Sequence, residues 1–210
     1  MHKLEKQNLL LIREADKLLY EYGLLKIMKK YGIPFITGSY VLGLMTWRDL
    51  DIDLEIDNVT EQRFFQMGGE IAATLKPWRM SFRNELMGKT RSLPLGFYFG
   101  VHTRILGVSK DWKIDIWSMN TEQIKQAKRE FSALQAGVNA TNGLIILEIK
   151  NHFCQHPEFL VGIHSLDIYN AVLKDGINTI EQFSTWIKEN RGIDLSAESP
   201  RYSRVLKEGH

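Results

Sequence analysis

Hydrophobic positions along this chain repeat with two different periods, and the switches between them lay out the elements. Near the start, Leu4, Leu11, Ala15, Leu18, Leu19, Tyr22, Leu25 and Met28 recur every three or four residues, the spacing of one helix face. This predicts a long helix over residues 3–31, stopped by Gly32 and Pro34. Pro34 to Thr37 reads as a short apolar strand running into Gly38-Ser39, and Tyr40 to Leu44 as one or two helical turns. From Asp49 to Asp57 the period becomes two: Leu50, Ile52, Leu54 and Ile56 alternate with Asp49, Asp51, Asp53, Glu55 and Asp57. That is a strand with one buried face and one carboxylate face. Thr60 caps a predicted helix over 61–75 that carries Gly68-Gly69 and stops before Pro77. Strands follow over 78–86, 95–106 and 112–117, separated by a polar, basic loop at 88–92 and a turn at 107–111. After Asn120 the pattern is helical: 122–136, 141–155, 165–174 and 179–189, with a polar tail from Arg191. The fold class is therefore α+β. Residues 1–118 form a small mixed-sheet core with its N-terminal helix, and residues 119–210 a C-terminal helical region.

Composition narrows the setting without naming a function. A chain of 210 residues with 44% hydrophobic and 25% charged positions can bury a real core. The formal net charge is only +2, so the acids of 49–57 are a local feature. No global basic field and no basic, aromatic-interleaved stripe points to a nucleic-acid partner. The single cysteine, Cys154, excludes an intrachain disulfide and fits a reducing compartment. The longest apolar runs, Leu9–Ile12 and Leu144–Leu147, are too short to span a bilayer. A cytoplasmic protein is expected, as a monomer or homodimer.

Same-face neighbours on a strand sit roughly 6.5–7 Å apart, so the carboxylates of 49–57 repel one another. A solvated, aggregation-resistant edge strand would also carry such charges. The company of Gly38-Ser39 upstream and Lys113-Ile114-Asp115-Ile116-Trp117 downstream favours a site instead. A divalent cation would compensate the acids, and Mg²⁺ suits carboxylate oxygens plus substrate phosphates. Arg48 and Lys113 flank the acids and could reach a triphosphate, and Tyr40 could stack on a base; Lys89 and Arg91 read as surface residues. His152 and His156, with Cys154 between them, have zinc spacing, but no third ligand is evident.

The order of strand, Gly-Ser, short helix, Asp-x-Asp strand and a later strand with a third Asp resembles the nucleotidyltransferase superfamily typified by DNA polymerase beta. Its signature is Gly-Ser or Gly-Gly, a spacer, then Asp, an apolar residue and an acid. Here Gly38-Ser39 is followed by Tyr40 to Leu50 and then Asp51-Ile52-Asp53-Leu54; Asp49-Leu50-Asp51 satisfies the pattern with a shorter spacer. Among small members the chain is most similar to enzymes that modify aminoglycosides or lincosamides, through Thr46 to Leu54. The resemblance covers the first half of the chain; the helical half matches only in kind. It implies Asp51 and Asp53 as metal ligands and Asp115 as third ligand or base, with one or two Mg²⁺ ions. Gly38, Ser39, Tyr40, Arg48 and Lys113 would lie on the nucleotide side. The implied reaction moves a nucleoside monophosphate, AMP from ATP being the leading case, to a hydroxyl of a small molecule such as an antibiotic. The rival expectations are a non-catalytic nucleotide-binding or interaction module and a protein nucleotidyltransferase.

Overall fold

The computed structural model describes residues 1–91, 93–108, 110–154, 156 and 162–195. Beyond Leu195 the polar tail lies outside the described residues, as do Ser92, Ser109 and Gln155, which close or interrupt predicted segments. The chain forms two compact units, Lys6–Gln135 and Met1–Glu5 with Ala136–His210.

The first unit is built on a five-stranded sheet flanked by helices, an α+β arrangement. Its strands are β1 (Ile33–Thr37), β2 (Asp49–Glu55), β3 (Arg79–Asn84), β4 (Phe97–Thr103) and β5 (Trp112–Met119), in the order β1-β2-β5-β4-β3. Only β2 and β5 run parallel; the other neighbours are antiparallel. Alternation gives this sheet two unlike faces. One carries Leu50, Ile52, Leu54, Phe97, Phe99, Val101, Ile114 and Ile116, all buried. The other carries Asp49, Asp51, Asp53 and Glu55 from β2 and Lys113, Asp115 and Trp117 from β5.

The apolar face packs against α4 (Glu61–Leu75), whose N-cap Thr60 accepts from the Arg63 N–H as the sequence predicts. Phe64 of α4 stacks on Phe99, centroids 4.4 Å apart. The Gly68 position is what lets the helix approach: a Cβ there would sit 2.8 Å from the Phe99 ring. The predicted long N-terminal helix is broken. It comprises α1 (Lys3–Asp16), a π-helical turn (Lys17–Glu21) and α2 (Leu24–Met28), and Gly23 between the last two has φ 77°. The bend keeps Leu11, Ala15, Leu18, Leu19, Leu24, Ile27 and Met28 in one core. Two short helices, α3 (Gly38–Leu42) and α5 (Glu85–Gly88), follow β1 and β3.

From β5 the chain enters α6 (Thr121–Gly137), where Thr121 Oγ lies 2.9 Å from a carboxylate oxygen of Glu55 and of Asp57 and donates its one proton to either. The second unit contains α7 (Ala140–Phe153), α8 (Ser165–Leu173) and α9 (Ile180–Arg191). Phe153 and Phe183 meet at 5.5 Å in its core, and Arg191 donates to the buried Asp167 at 2.6 Å. Among the described residues, no helix is long and apolar enough to cross a membrane.

Candidate functional site

The polar face of the sheet gathers its charge at one end. Pairing of the parallel strands sets Asp51 directly beside Asp115, with Asp49 beside Lys113 and Asp53 beside Trp117. Asp49, Asp51 and Asp115 each offer a carboxylate oxygen within 4.8 Å of the others. The sequence expectation joined Asp51, Asp53 and Asp115; the residues that converge are one alternation step earlier on β2. Asp53 lies on the same face but outside this group, 8% exposed and flanked in register by Phe35 and Trp117. Phe35 is in turn covered by Phe131 and Lys128 of α6, at 5.8 and 5.6 Å. These contacts cover the Phe35 side of Asp53.

Each member of the trio is fixed by particular neighbours. Gly38 adopts φ 70°, and a Cβ there would fall 2.1 Å from Asp51 Oδ2. Only glycine allows this left-handed turn to press its backbone against the carboxylate. Asp115 is held at both oxygens: the Tyr98 hydroxyl donates to Oδ1 at 2.8 Å and Lys113 Nζ to Oδ2 at 2.5 Å. Gly100, paired with Asp115 across β4 and β5, leaves the space through which Tyr98 reaches it; a Cβ there would lie 2.5 Å from the tyrosine oxygen. Lys113 Nζ also sits 3.8 Å from Asp49 Oδ1, and Trp47 Nε1 donates to Asp49 Oδ2 at 3.4 Å.

Electrostatics mark the trio as under-compensated. Burial, then the charges of Asp49 and Asp115, push the Asp51 carboxyl up to about 8. Burial alone raises Asp53 to about 6. Burial would lower the Lys113 ammonium, but the neighbouring Asp49 and Asp115 outweigh it and hold the proton on. Burial and Asp115 together raise the Tyr98 hydroxyl, which therefore stays a donor. Three clustered carboxylates, one pushed toward its neutral form by burial and by the charges of the other two, fit a divalent cation in donor type and number.

The other residues expected on the nucleotide side have partners of their own in the fold. The Arg48 guanidinium donates twice to Glu14, at 2.6 and 2.9 Å, in a cleft of about 460 Å³ lined also by Gln7, Trp47 and Lys110. The Tyr40 hydroxyl donates to Asp16 at 2.7 Å and its ring packs on the core. Ser39 is buried beside Gly38. Among the described residues His152 and His156 belong to no group of three metal-ligand side chains. Tyr98 joins the site without being among the residues expected there from sequence. The alternation of Phe97, Phe99 and Val101 against Tyr98, Gly100 and His102 is the signal that puts its hydroxyl on the polar face.

A second cleft, of about 520 Å³, opens at the far ends of β2 and β5 between Asp57, Leu86, Leu95, Ser118 and Thr121.

No protein-family model matches the chain, and no curated protein matches its sequence. Solved structures do. The fold is similar to that of a cytoplasmic RNA terminal U-transferase, with a TM-score of 0.52 and 15% identity over 77% of this chain and 45% of that one. The poly(A) polymerase complex GLD-2–GLD-3 aligns at TM-score 0.45 and 13% identity, covering 95% of this chain and 68% of that one. The GLD-2/RNP-8 complex aligns at 0.44 and 12%, covering 94% and 70%. The chain spans under half the length of the terminal U-transferase it matches. At such identities the likeness is one of fold: this chain shares with the terminal U-transferase a mixed α+β arrangement, here a five-stranded mixed sheet with flanking helices.

Proposed function

We propose that this chain is a metal-dependent nucleotidyltransferase. The observation that carries the reading is the convergence of Asp49, Asp51 and Asp115 from parallel neighbouring strands, with the Gly38 turn packed against Asp51. Asp49, Asp51 and Asp115 would hold a divalent cation, with Mg²⁺ the leading candidate, which when bound neutralises the triphosphate and the oxygens of the bonds that form and break. The Gly38-Ser39 turn is the side that receives the triphosphate. Asp115, oriented by the Tyr98 hydroxyl at Oδ1, takes the acceptor hydroxyl proton. The acceptor oxygen then bonds to the α-phosphorus, the bond to the β-phosphate oxygen breaks, and pyrophosphate leaves.

For the acceptor, the modest net charge of +2 supports a small hydroxyl compound. A second reading rests on the polar face itself. Tyr98 and Trp117 lie beside Asp115 with ring centroids 4.8 Å apart, and Arg83 pairs with Tyr98 across the sheet. Such a platform suits a base next to its own hydroxyl, as at the 3′ end of an RNA. The test incubates the protein with Mg²⁺, each α-labelled nucleoside triphosphate, and two acceptor sets, aminocyclitol and lincosamide antibiotics or short single-stranded oligoribonucleotides. Labelled adduct and pyrophosphate in either set, lost in Asp115→Asn, support the reading and choose the acceptor. Binding of Mg·nucleotide without turnover in any set favours a non-catalytic module, and no binding by calorimetry removes the reading altogether.

A further inference from the structure

We propose that Lys113 is a built-in counter-cation, holding the carboxylate trio together without metal and exchanging places with the incoming cation, after which its ammonium turns to the phosphate oxygens of the nucleotide. The inference rests on the nucleotidyltransferase reading of the site. Lys113 Nζ contacts Asp115 Oδ2 at 2.5 Å and lies 3.8 Å from Asp49 Oδ1. It thus bridges two of the three carboxylates whose oxygens converge within 4.8 Å. An ammonium and a divalent cation cannot both stay in contact with that small set of oxygens, because they repel each other at such range. One must leave, and the geometry makes it the lysine.

Its backbone is pinned: the Lys113 N–H donates to the Arg48 carbonyl at 3.1 Å and the residue pairs with Asp49 in the sheet. Its side chain is 38% exposed, against 16% and 18% for Asp49 and Asp115. The ammonium therefore reaches in from solvent on a flexible stem and can withdraw without disturbing the core. It swings from an anchor near the start of β5, beside Asp49, which keeps it within reach of anything the trio binds. Arg48, the other cation flanking the acids in sequence, is already paired with Glu14 through two hydrogen bonds.

An ordinary surface ion pair would contribute little and would not oppose metal. The exchange makes two opposite demands on one substitution. Mn²⁺ binding without nucleotide is followed by electron paramagnetic resonance in wild type, Lys113→Met and Lys113→Gln, and Mg²⁺ with a non-hydrolysable ATP analogue by calorimetry. Thermal melts confirm that the variants are folded. Both variants are expected to bind Mn²⁺ alone about tenfold more tightly and the Mg·analogue about tenfold more weakly. Equal or weaker Mn²⁺ binding in the variants overturns the counter-cation, while tighter Mn²⁺ with unchanged analogue binding overturns its move to phosphate. If no form binds Mn²⁺ or the Mg·analogue, the metal site itself is refuted and Lys113 with it.

Discussion

Asp51 concentrates the chemistry of the site in one side chain. Its carboxyl stands at about 8, raised by burial and then by Asp49 and Asp115, against roughly 3.9 for the group in an unfolded chain. Folding thus favours the protonated form. That contribution is whole below pH ~4 and is lost as pH climbs through about 8, so the metal-free protein weakens by on the order of a few kcal/mol across that window. Thermal melts in chelator at pH 5.5 and 8.5 should show a falling Tm in wild type and a much flatter profile in Asp51→Asn. Mg²⁺ should restore wild type most at the higher pH. Gly38→Ala puts a methyl where Asp51 Oδ2 lies and forces φ 70° on a residue with a Cβ. It should lower turnover by at least tenfold, at a stability loss of about 1–2 kcal/mol. Tyr98→Phe removes only the hydroxyl bonded to Asp115. Positioning predicts a kcat reduced roughly three- to thirtyfold with KM for nucleotide little changed, measured by steady-state kinetics.

Which carboxylates meet was the least legible part of the site. Asp49-Leu50-Asp51 and Asp51-Ile52-Asp53 both match the Asp-x-Asp spacing after Gly38-Ser39. Spacing alone cannot say which pair ends opposite Asp115. The decision lies in the tertiary register of β2 on β5 and in the rings of Phe35 and Trp117 beside Asp53, neither of which leaves a local trace. Arg48 beside the acids and Tyr40 beside Ser39 are named from local sequence, which says nothing of the partners they make, Glu14 and Asp16, 34 and 24 residues away.

At the level of elements, alternation sufficed for some and not for others. The period of two in β2, and the Thr60 cap of α4, predict those elements to within a residue or two, because one face of each is apolar and the other is not. The long first helix was over-read, since the apolar recurrence continues through Gly23 while the backbone does not. Packing accounts for the Gly68 inside α4. It is a poor helix former, yet the Phe99 ring occupies the space of its missing side chain. Gly68→Ala should therefore destabilise the fold by about 1–3 kcal/mol despite its better helix propensity. Denaturant unfolding would register this, with activity per folded molecule preserved.

For the whole molecule, charge is near balance while the site is not. Three acids against one lysine repel a free triphosphate, and the net charge of +2 is too small to overcome this at a distance. Nucleotide should accordingly bind at least about a hundredfold more weakly in chelator than with Mg²⁺, as read by calorimetry. The parallel pairing of β2 and β5 has one more consequence. Their residues are about sixty positions apart, with α4, β3, α5 and β4 emerging between them. During synthesis the first two acids leave the ribosome well before Asp115 exists, and a contact so distant along the chain closes late. The site is thus completed only when the entire sheet is, and a nascent or truncated chain ending before β5 holds an acidic hairpin with no grip on metal. Catalytic competence and the completion of folding would then arrive together, and partial products of translation or proteolysis would be silent rather than erratic enzymes.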